Sequence, residues 1–303
     1  SFYRTVLMRP TPSAAQGDNM RTLVWALAAT LALAAMPAAA GSYLRVASWN
    51  TLHAGWSGQT DWNGYAGQLW RNFGTGGTSP NGVDVVFAQE VMYADSAASI
   101  ATALKTVSGV NWDYRVTEAI GRSSYKERYA VFFRTDRVQL LSSTVWNDSG
   151  DVFEREPQIV RLRQIDTGAD FTFINWHAVF GTTSQREAEV RAIATVFNSV
   201  QASSATDQDV VLLGDQNRDA TSPWWSNLTA LSPTVGWKVN DLTSINTSCG
   251  YANAYDHFWF QGSHVAEFSS AGRDYIGDLC AFRNDLSDHA PVNLTLYATS
   301  DTD

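Results

Sequence analysis

Short apolar runs alternate along the chain with longer segments in which apolar residues recur every three or four positions. The short runs are rich in β-branched and aromatic residues, a composition typical of buried β-strands. Six strands are predicted from these runs, at residues 44–49, 83–88, 130–133, 171–176, 210–213 and 292–296.

Two of the longer segments have the helical period. The stronger one begins at Ser184, whose spacing to Glu187 fits a capping box, and it keeps its apolar residues from Val190 onward on one face. Residues 97–107 form a second predicted helix. Helices between strands, together with hairpin-like strand pairs, indicate an α/β fold. We expect a four-layer α/β sandwich in which two packed mixed β-sheets are flanked by helices.

Residues 1–40 differ in composition from the rest of the chain. A basic start after Met20 and an Ala/Leu-rich run end in an Ala-x-Ala pattern at residues 38–40. This arrangement is typical of a cleaved secretory signal peptide with Gly41 as the mature N-terminus. A membrane anchor is the alternative, since the run is barely long enough to span a bilayer. We expect a secreted or periplasmic protein in which residues 41–303 form a single domain.

The chain has two cysteines, Cys249 and Cys280. Oxidation is permitted in an exported protein, so a disulfide between them is predicted. Two free thiols are the alternative.

Polar side chains stand where predicted strands end or begin. They are Asn50, Glu90, His177, Asp215, Asn217, Asp288 and His289. Because polar groups at the ends of core strands converge on one rim of an α/β sheet, we expect these side chains to form a single site.

The chemical types in this set favour a hard divalent cation. Its oxygen donors are the carboxylates and carboxamides of Glu90, Asp215, Asp288, Asn50 and Asn217. Such donors suit Mg²⁺, Mn²⁺ or Ca²⁺ rather than zinc. The two histidines add groups that transfer protons near neutral pH. A cation, an activated water and a proton donor are the requirements of phosphodiester hydrolysis.

The net charge of −9 argues against binding of DNA by bulk electrostatics. An acidic protein that acts on DNA must concentrate its positive charge in one place, and bound cations would add to that charge. One stretch of the sequence does concentrate it, in Arg122, Lys126, Arg128, Arg155, Arg161 and Arg163.

The order of these motifs resembles that of the endonuclease/exonuclease/phosphatase superfamily, from about Leu44 to Leu296. Residues 125–129 and the Arg155-Glu156-Pro157 motif are particularly similar to deoxyribonuclease I. The motifs that carry the resemblance are Ser48-Trp49-Asn50, Gln89-Glu90-Val91, residues 121–129, Arg155-Glu156-Pro157, His177, Gly214-Asp215-Gln216-Asn217, Tyr255-Asp256 and Ser287-Asp288-His289.

The resemblance implies two histidine–carboxylate pairs, Glu127 with His177 and Asp256 with His289. Each carboxylate would hold one imidazole tautomer and stabilise its protonated form. We assign His289 to water activation and His177 to protonation of the leaving oxygen, with the exchange of these roles left open.

The resemblance also implies how the remaining site residues contribute. Glu90, helped by Asn50 and Asp288, would bind the metal. Asp215 and Asn217 would position the scissile phosphate and the nucleophile. Three further side chains would contact DNA, namely Tyr125, Arg122 and Arg155.

The expected protein is a secreted endonuclease that hydrolyses DNA with Mg²⁺ or Mn²⁺, with Ca²⁺ as a structural or co-activating ion. We expect a monomer without stable membrane association. Lipid or inositol-phosphate hydrolysis, as in sphingomyelinases, is the alternative activity, and an inactive binding module on the same fold is the alternative class.

Three departures from the deoxyribonuclease pattern modify this expectation. Met92 and Leu52 stand where that branch has basic residues, so weaker groove contacts are expected. Residues 216–218 resemble the nuclease subunit of cytolethal distending toxins instead, which leaves toxin-type partner subunits open. The remaining histidines are expected to be surface or structural residues, and they are His53, His257 and His264.

Overall fold

Two six-stranded sheets packed face to face form the centre of the protein. The computed structural model describes residues 42–74, 82–203 and 208–299, and these belong to one compact unit. The predicted signal peptide, within residues 1–40, lies outside the described residues. Among the residues described, no helix is long and apolar enough to cross a membrane.

The first sheet contains the first two predicted strands and the last one. Its members are β1 (Ser42–Ala54), β2 (Val85–Val91), β3 (Trp112–Val116), β4 (Arg128–Arg134), β11 (Phe268–Arg273) and β12 (Val292–Ala298). They lie side by side in the order β11-β12-β1-β2-β4-β3. Only β1 and β2 are parallel, since the other neighbours pair antiparallel.

The second sheet repeats this mixed arrangement. Its members are β5 (Val138–Val145), β6 (Gln158–Gln164), β7 (Asp170–Asn175), β8 (Val210–Asp215), β9 (Val235–Lys238) and β10 (Asp256–Gln261). Their order is β5-β6-β7-β8-β10-β9, and only β7 and β8 are parallel.

Helices cover the outer face of each sheet. On the first sheet they are α1 (Trp62–Arg71), α2 (Ala94–Ser108) and α5 (Leu279–Asp285). On the second they are α3 (Thr183–Gln201) and α4 (Ser226–Thr229), with a 3-10 turn at Pro223–Trp225. The predicted four-layer α/β sandwich is therefore confirmed.

Burial on both faces explains why the core strands read as continuous apolar runs. Along β1, Val46 packs between the two sheets, whereas Ala47 and Trp49 pack under the helices. Along β7, Phe173 faces the other sheet and Ile174 faces α3. Each buried Val, Ile or Phe side chain contributes about 1.5–3 kcal/mol, so the three core layers fix the positions of the strand ends.

The predicted start of the long helix was wrong by two residues. Thr182 is its N-cap, and it forms a reciprocal capping box with Gln185. The Ser/Thr-x-x-Glu/Gln signature occurs twice in this stretch, and the earlier copy caps the helix. Glu187 instead pairs with Arg191 one turn later, at 2.7 Å.

Candidate active site

A cavity of about 710 Å³ opens at one end of the two sheets. It lies where β1, β2 and β8 end, so strand ends from both sheets contribute to one wall. The sequence-predicted site residues that line it are Asn50, Glu90, Tyr125, Arg155, His177, Asp215, Asn217, Asp288 and His289. Glu127 and Asp256 lie behind the two histidines, each bonded to one ring.

The first histidine pair is deeply buried. His177 Nδ1 lies 2.7 Å from Glu127 Oε1, and the Tyr129 hydroxyl accepts the His177 backbone N–H at 3.0 Å. Burial disfavours charge on the ring and Arg155 repels it, but the Glu127 and Asp215 carboxylates outweigh both effects and raise the pKa of His177. Burial likewise opposes ionisation of Glu127, but His177 and Arg155 lower its pKa overall.

The second pair has the same geometry on the opposite wall. His289 Nδ1 lies 2.8 Å from Asp256 Oδ2, which also accepts a hydrogen bond from the Thr243 hydroxyl at 2.5 Å. Burial disfavours the charged ring, yet Asp215 and Asp256 raise the pKa of His289 well above its ordinary value. Both rings therefore direct Nε2 toward the cavity with the other nitrogen held by a carboxylate.

Asp215 lies between the two histidines. Its Oδ2 is 3.6 Å from His177 Nε2 and 3.5 Å from His289 Nε2, and it accepts a hydrogen bond from Asn50 Nδ2 at 2.9 Å. Burial would raise the pKa of Asp215, but the two imidazoles lower it. A single carboxylate oxygen thus lies close to both imidazoles.

Glu90 supplies the carboxylate at the end of β2. Its Oε1 accepts from Asn50 Nδ2 at 2.9 Å, and its Oε2 accepts from the backbone N–H of His53 at 3.1 Å. The residue has a φ of +57°, a conformation that costs on the order of 1–3 kcal/mol and is concentrated at functional sites.

The donors around Glu90 fit a divalent cation. Glu90, Glu127 and His177 offer ligand atoms within 4.8 Å of one another, as do Asp215, Asp256 and His289. Asp288 lines the same cavity. Carboxylate oxygens dominate both groups, which suits Mg²⁺, Mn²⁺ or Ca²⁺.

The side chains of Asn50 and Asn217 both form hydrogen bonds within the site. The side-chain oxygen of Asn50 accepts from Leu52 N at 3.0 Å, while its amide nitrogen donates to Glu90 and Asp215. Asn50 therefore holds the two carboxylates together. Asn217 Nδ2 donates to Ala178 O at 2.8 Å beside His177.

The three residues expected to contact substrate differ in location. Tyr125 lines the cavity, and its hydroxyl donates to Glu127 at 3.3 Å. Arg155 also lines it, but the guanidinium is buried, donates to His177 O and Ala178 O, and lies 3.5 Å from Glu127. Arg122 is exposed, pairs with Asp151 at 2.9 Å and does not line the cavity.

Sequence reasoning missed several residues that hold the site together. Thr243 lies outside any strand or helix, so no periodicity marked it. Gln89 and Asn175 join the two sheets through a buried bond of 2.7 Å. His53 was expected to be a surface or structural residue, yet its ring lies 3.2 Å from Glu90.

The predicted disulfide between Cys249 and Cys280 is confirmed. It ties the segment around Asn246 and Asn253, which lines the cavity, to α5. The bridge therefore fastens one rim of the site to the helical layer.

Comparison with known proteins agrees with this geometry. The profile of the Endonuclease/Exonuclease/phosphatase family matches residues 47–289. A deoxyribonuclease of Thioalkalivibrio sp. (strain K90mix) is 28% identical over 281 residues, which are 87% of this chain and 74% of that protein. Deoxyribonuclease-1 of Canis lupus familiaris is 33% identical over 235 residues, which are 70% of this chain and 80% of that protein.

The solved structures give the same result for the fold. An endonuclease/exonuclease/phosphatase family protein from Bacteroides thetaiotaomicron superposes with a TM-score of 0.61 at 17% identity, covering 85% of this chain and 96% of that one. The family match over residues 47–289 and the superposition agree. The chain belongs to the Endonuclease/Exonuclease/phosphatase family.

Proposed function

We propose that the protein is a divalent-metal-dependent endonuclease that hydrolyses phosphodiester bonds in DNA. The observation that carries the proposal is the pair of carboxylate-backed imidazoles whose Nε2 atoms flank one oxygen of Asp215. Similarity to two deoxyribonucleases over most of the chain supports DNA as the substrate.

The two histidines divide the proton transfers. His289, held by Asp256, accepts a proton from the attacking water. His177, held by Glu127, donates a proton to the leaving oxygen, and the Glu127 carboxylate favours the protonated form of the ring. The assignment to the two steps can be exchanged without changing the reaction class.

The remaining residues bind and orient the reactants. Glu90, helped by Asn50 and Asp288, would hold the Mg²⁺ or Mn²⁺ ion, which would neutralise charge on the phosphate oxygens. Asn50 fixes Glu90 against Asp215, and Asn217 helps to position the scissile phosphate. Tyr125 and Arg122 contact the DNA backbone, and the buried Arg155 favours the ionised form of Glu127.

The setting of the enzyme is part of the same proposal. We infer a secreted or periplasmic monomer, released after cleavage at Gly41, with Ca²⁺ as an additional structural or co-activating ion. The single disulfide supports an oxidising compartment.

Nicking of supercoiled plasmid tests the proposal directly. We expect activity with Mg²⁺ or Mn²⁺, and complete inhibition by EDTA. His177→Ala and His289→Ala should each reduce the rate by about a hundredfold or more, because each removes a proton-transfer group. His264→Ala is the matched control, since His264 lies between β10 and β11 and does not line the cavity.

Wild-type nicking rates in both variants would show that the assigned mechanism is wrong. Parallel assays on sphingomyelin and inositol phosphates separate the substrates of this fold. Turnover of sphingomyelin or of an inositol phosphate without plasmid nicking would show that this compound, and not DNA, is the substrate.

A further inference from the structure

His53 has no part in the mechanism above, although its ring lies against Glu90. His53 Nε2 is 3.2 Å from Glu90 Oε2, and the backbone N–H of His53 donates to the same oxygen at 3.1 Å. The histidine thus approaches the proposed metal-binding carboxylate with its ring and its main chain together.

The ring is held in this orientation by its neighbours. It stacks on Trp56 with centroids 4.2 Å apart and planes inclined by 20°, and it meets Tyr125 edge-on at 5.7 Å. Leu52 and His53 both have positive φ, at +45° and +57°, which turns the chain back toward Glu90. Two aromatic contacts and a fixed backbone leave Nε2 directed at the carboxylate.

The separation of the two atoms matches adjacent ligands of one ion. Ligands at 2.0–2.1 Å in adjacent positions of an octahedral site lie about 3 Å apart. A neutral imidazole offers one nitrogen lone pair, which binds late first-row ions such as Co²⁺ and Ni²⁺ more strongly than it binds Mg²⁺.

We propose that His53 is a further ligand of the cation at Glu90, forming an imidazole–carboxylate site that accepts late first-row divalent ions in preference to Mg²⁺. The inference deepens the proposed function and rests on its metal site. A carboxylate-only site would show a weaker preference, because its oxygens supply no nitrogen donor.

Isothermal titration of the metal-free full chain with Co²⁺ and with Mg²⁺ tests the assignment without DNA. The variant is His53→Asn, since asparagine adopts positive φ readily and its shorter side chain withdraws the ring nitrogen. We expect Co²⁺ affinity to fall about tenfold or more and Mg²⁺ affinity to change by less than about threefold. His264→Asn should leave both affinities unchanged.

Two outcomes would overturn the proposal. Unchanged Co²⁺ affinity would mean that the ring does not bind the ion. Equal loss of Co²⁺ and Mg²⁺ affinity would mean that His53 only positions Glu90. Circular dichroism checks that the His53→Asn variant is folded. If it is not, His53→Gln, which keeps a hydrogen-bond donor near Glu90, takes its place with the same expected affinities. Metal binding without plasmid nicking would refute the endonuclease proposal alone.

Discussion

The ring nitrogens of the two site histidines are held at one end by a carboxylate and face a second carboxylate at the other. His289 shows the consequence most clearly, because Asp215 and Asp256 both favour its protonated form against the effect of burial. The pairs could be predicted only through the resemblance of the motif order to the family, because the positions of the histidines at strand ends do not identify their carboxylate partners. The sequence did not reveal Thr243, whose bond to Asp256 depends on the path of an irregular segment.

A raised pKa makes folding stability depend on pH. The folded state binds the His289 proton more tightly than the unfolded chain, so the stabilisation is complete below about pH 6.5 and is lost as pH rises through the raised folded value. In EDTA, the Tm of the wild type should therefore fall more steeply above pH 6.5 than that of His289→Gln. Thermal melts from pH 5.5 to 9 measure this, and parallel curves for the two proteins would contradict it.

At the level of the elements, the site depends on where strands stop. The six predicted strands exist because each is buried and apolar. Strand β6 escaped detection because Arg161 and Arg163 alternate with apolar residues in it, which breaks the continuous run. The meeting of β1, β2 and β8 at one cavity could not be predicted, because it depends on how the two sheets pack.

The position next to the end of β8 requires a glycine. Gly214 has a φ of +128°, and a methyl group there would overlap the Trp176 carbonyl oxygen. Gly214→Ala should destabilise the protein by roughly 3 kcal/mol and displace Asp215. Gly58→Ala is the control, since Gly58 also has positive φ but no atom lies within 4 Å of the added methyl, and about 1 kcal/mol is expected. Urea denaturation compares them, and equal losses would argue against the steric explanation.

For the whole molecule, the disulfide connects the irregular rim of the cavity to a surface helix. Composition and compartment were sufficient to predict the bond, but its position beside the site emerges only from the fold. Cys249 and Cys280 are 31 residues apart, and closing such a loop restricts the unfolded chain. The double variant Cys249→Ser with Cys280→Ser should lose roughly 3 kcal/mol of unfolding free energy. Urea denaturation with and without dithiothreitol measures it, and a reductant effect on the double variant would point to another cause.

The sharing of one oxygen between both imidazoles has a consequence for how this catalyst can adapt. Because Asp215 Oδ2 is close to His177 and His289 alike, any substitution that alters its charge shifts both protonation equilibria in the same direction. If the two histidines divide the proton transfers as proposed, the acidic and basic limbs of the rate profile are linked, and the pH optimum shifts without becoming wider.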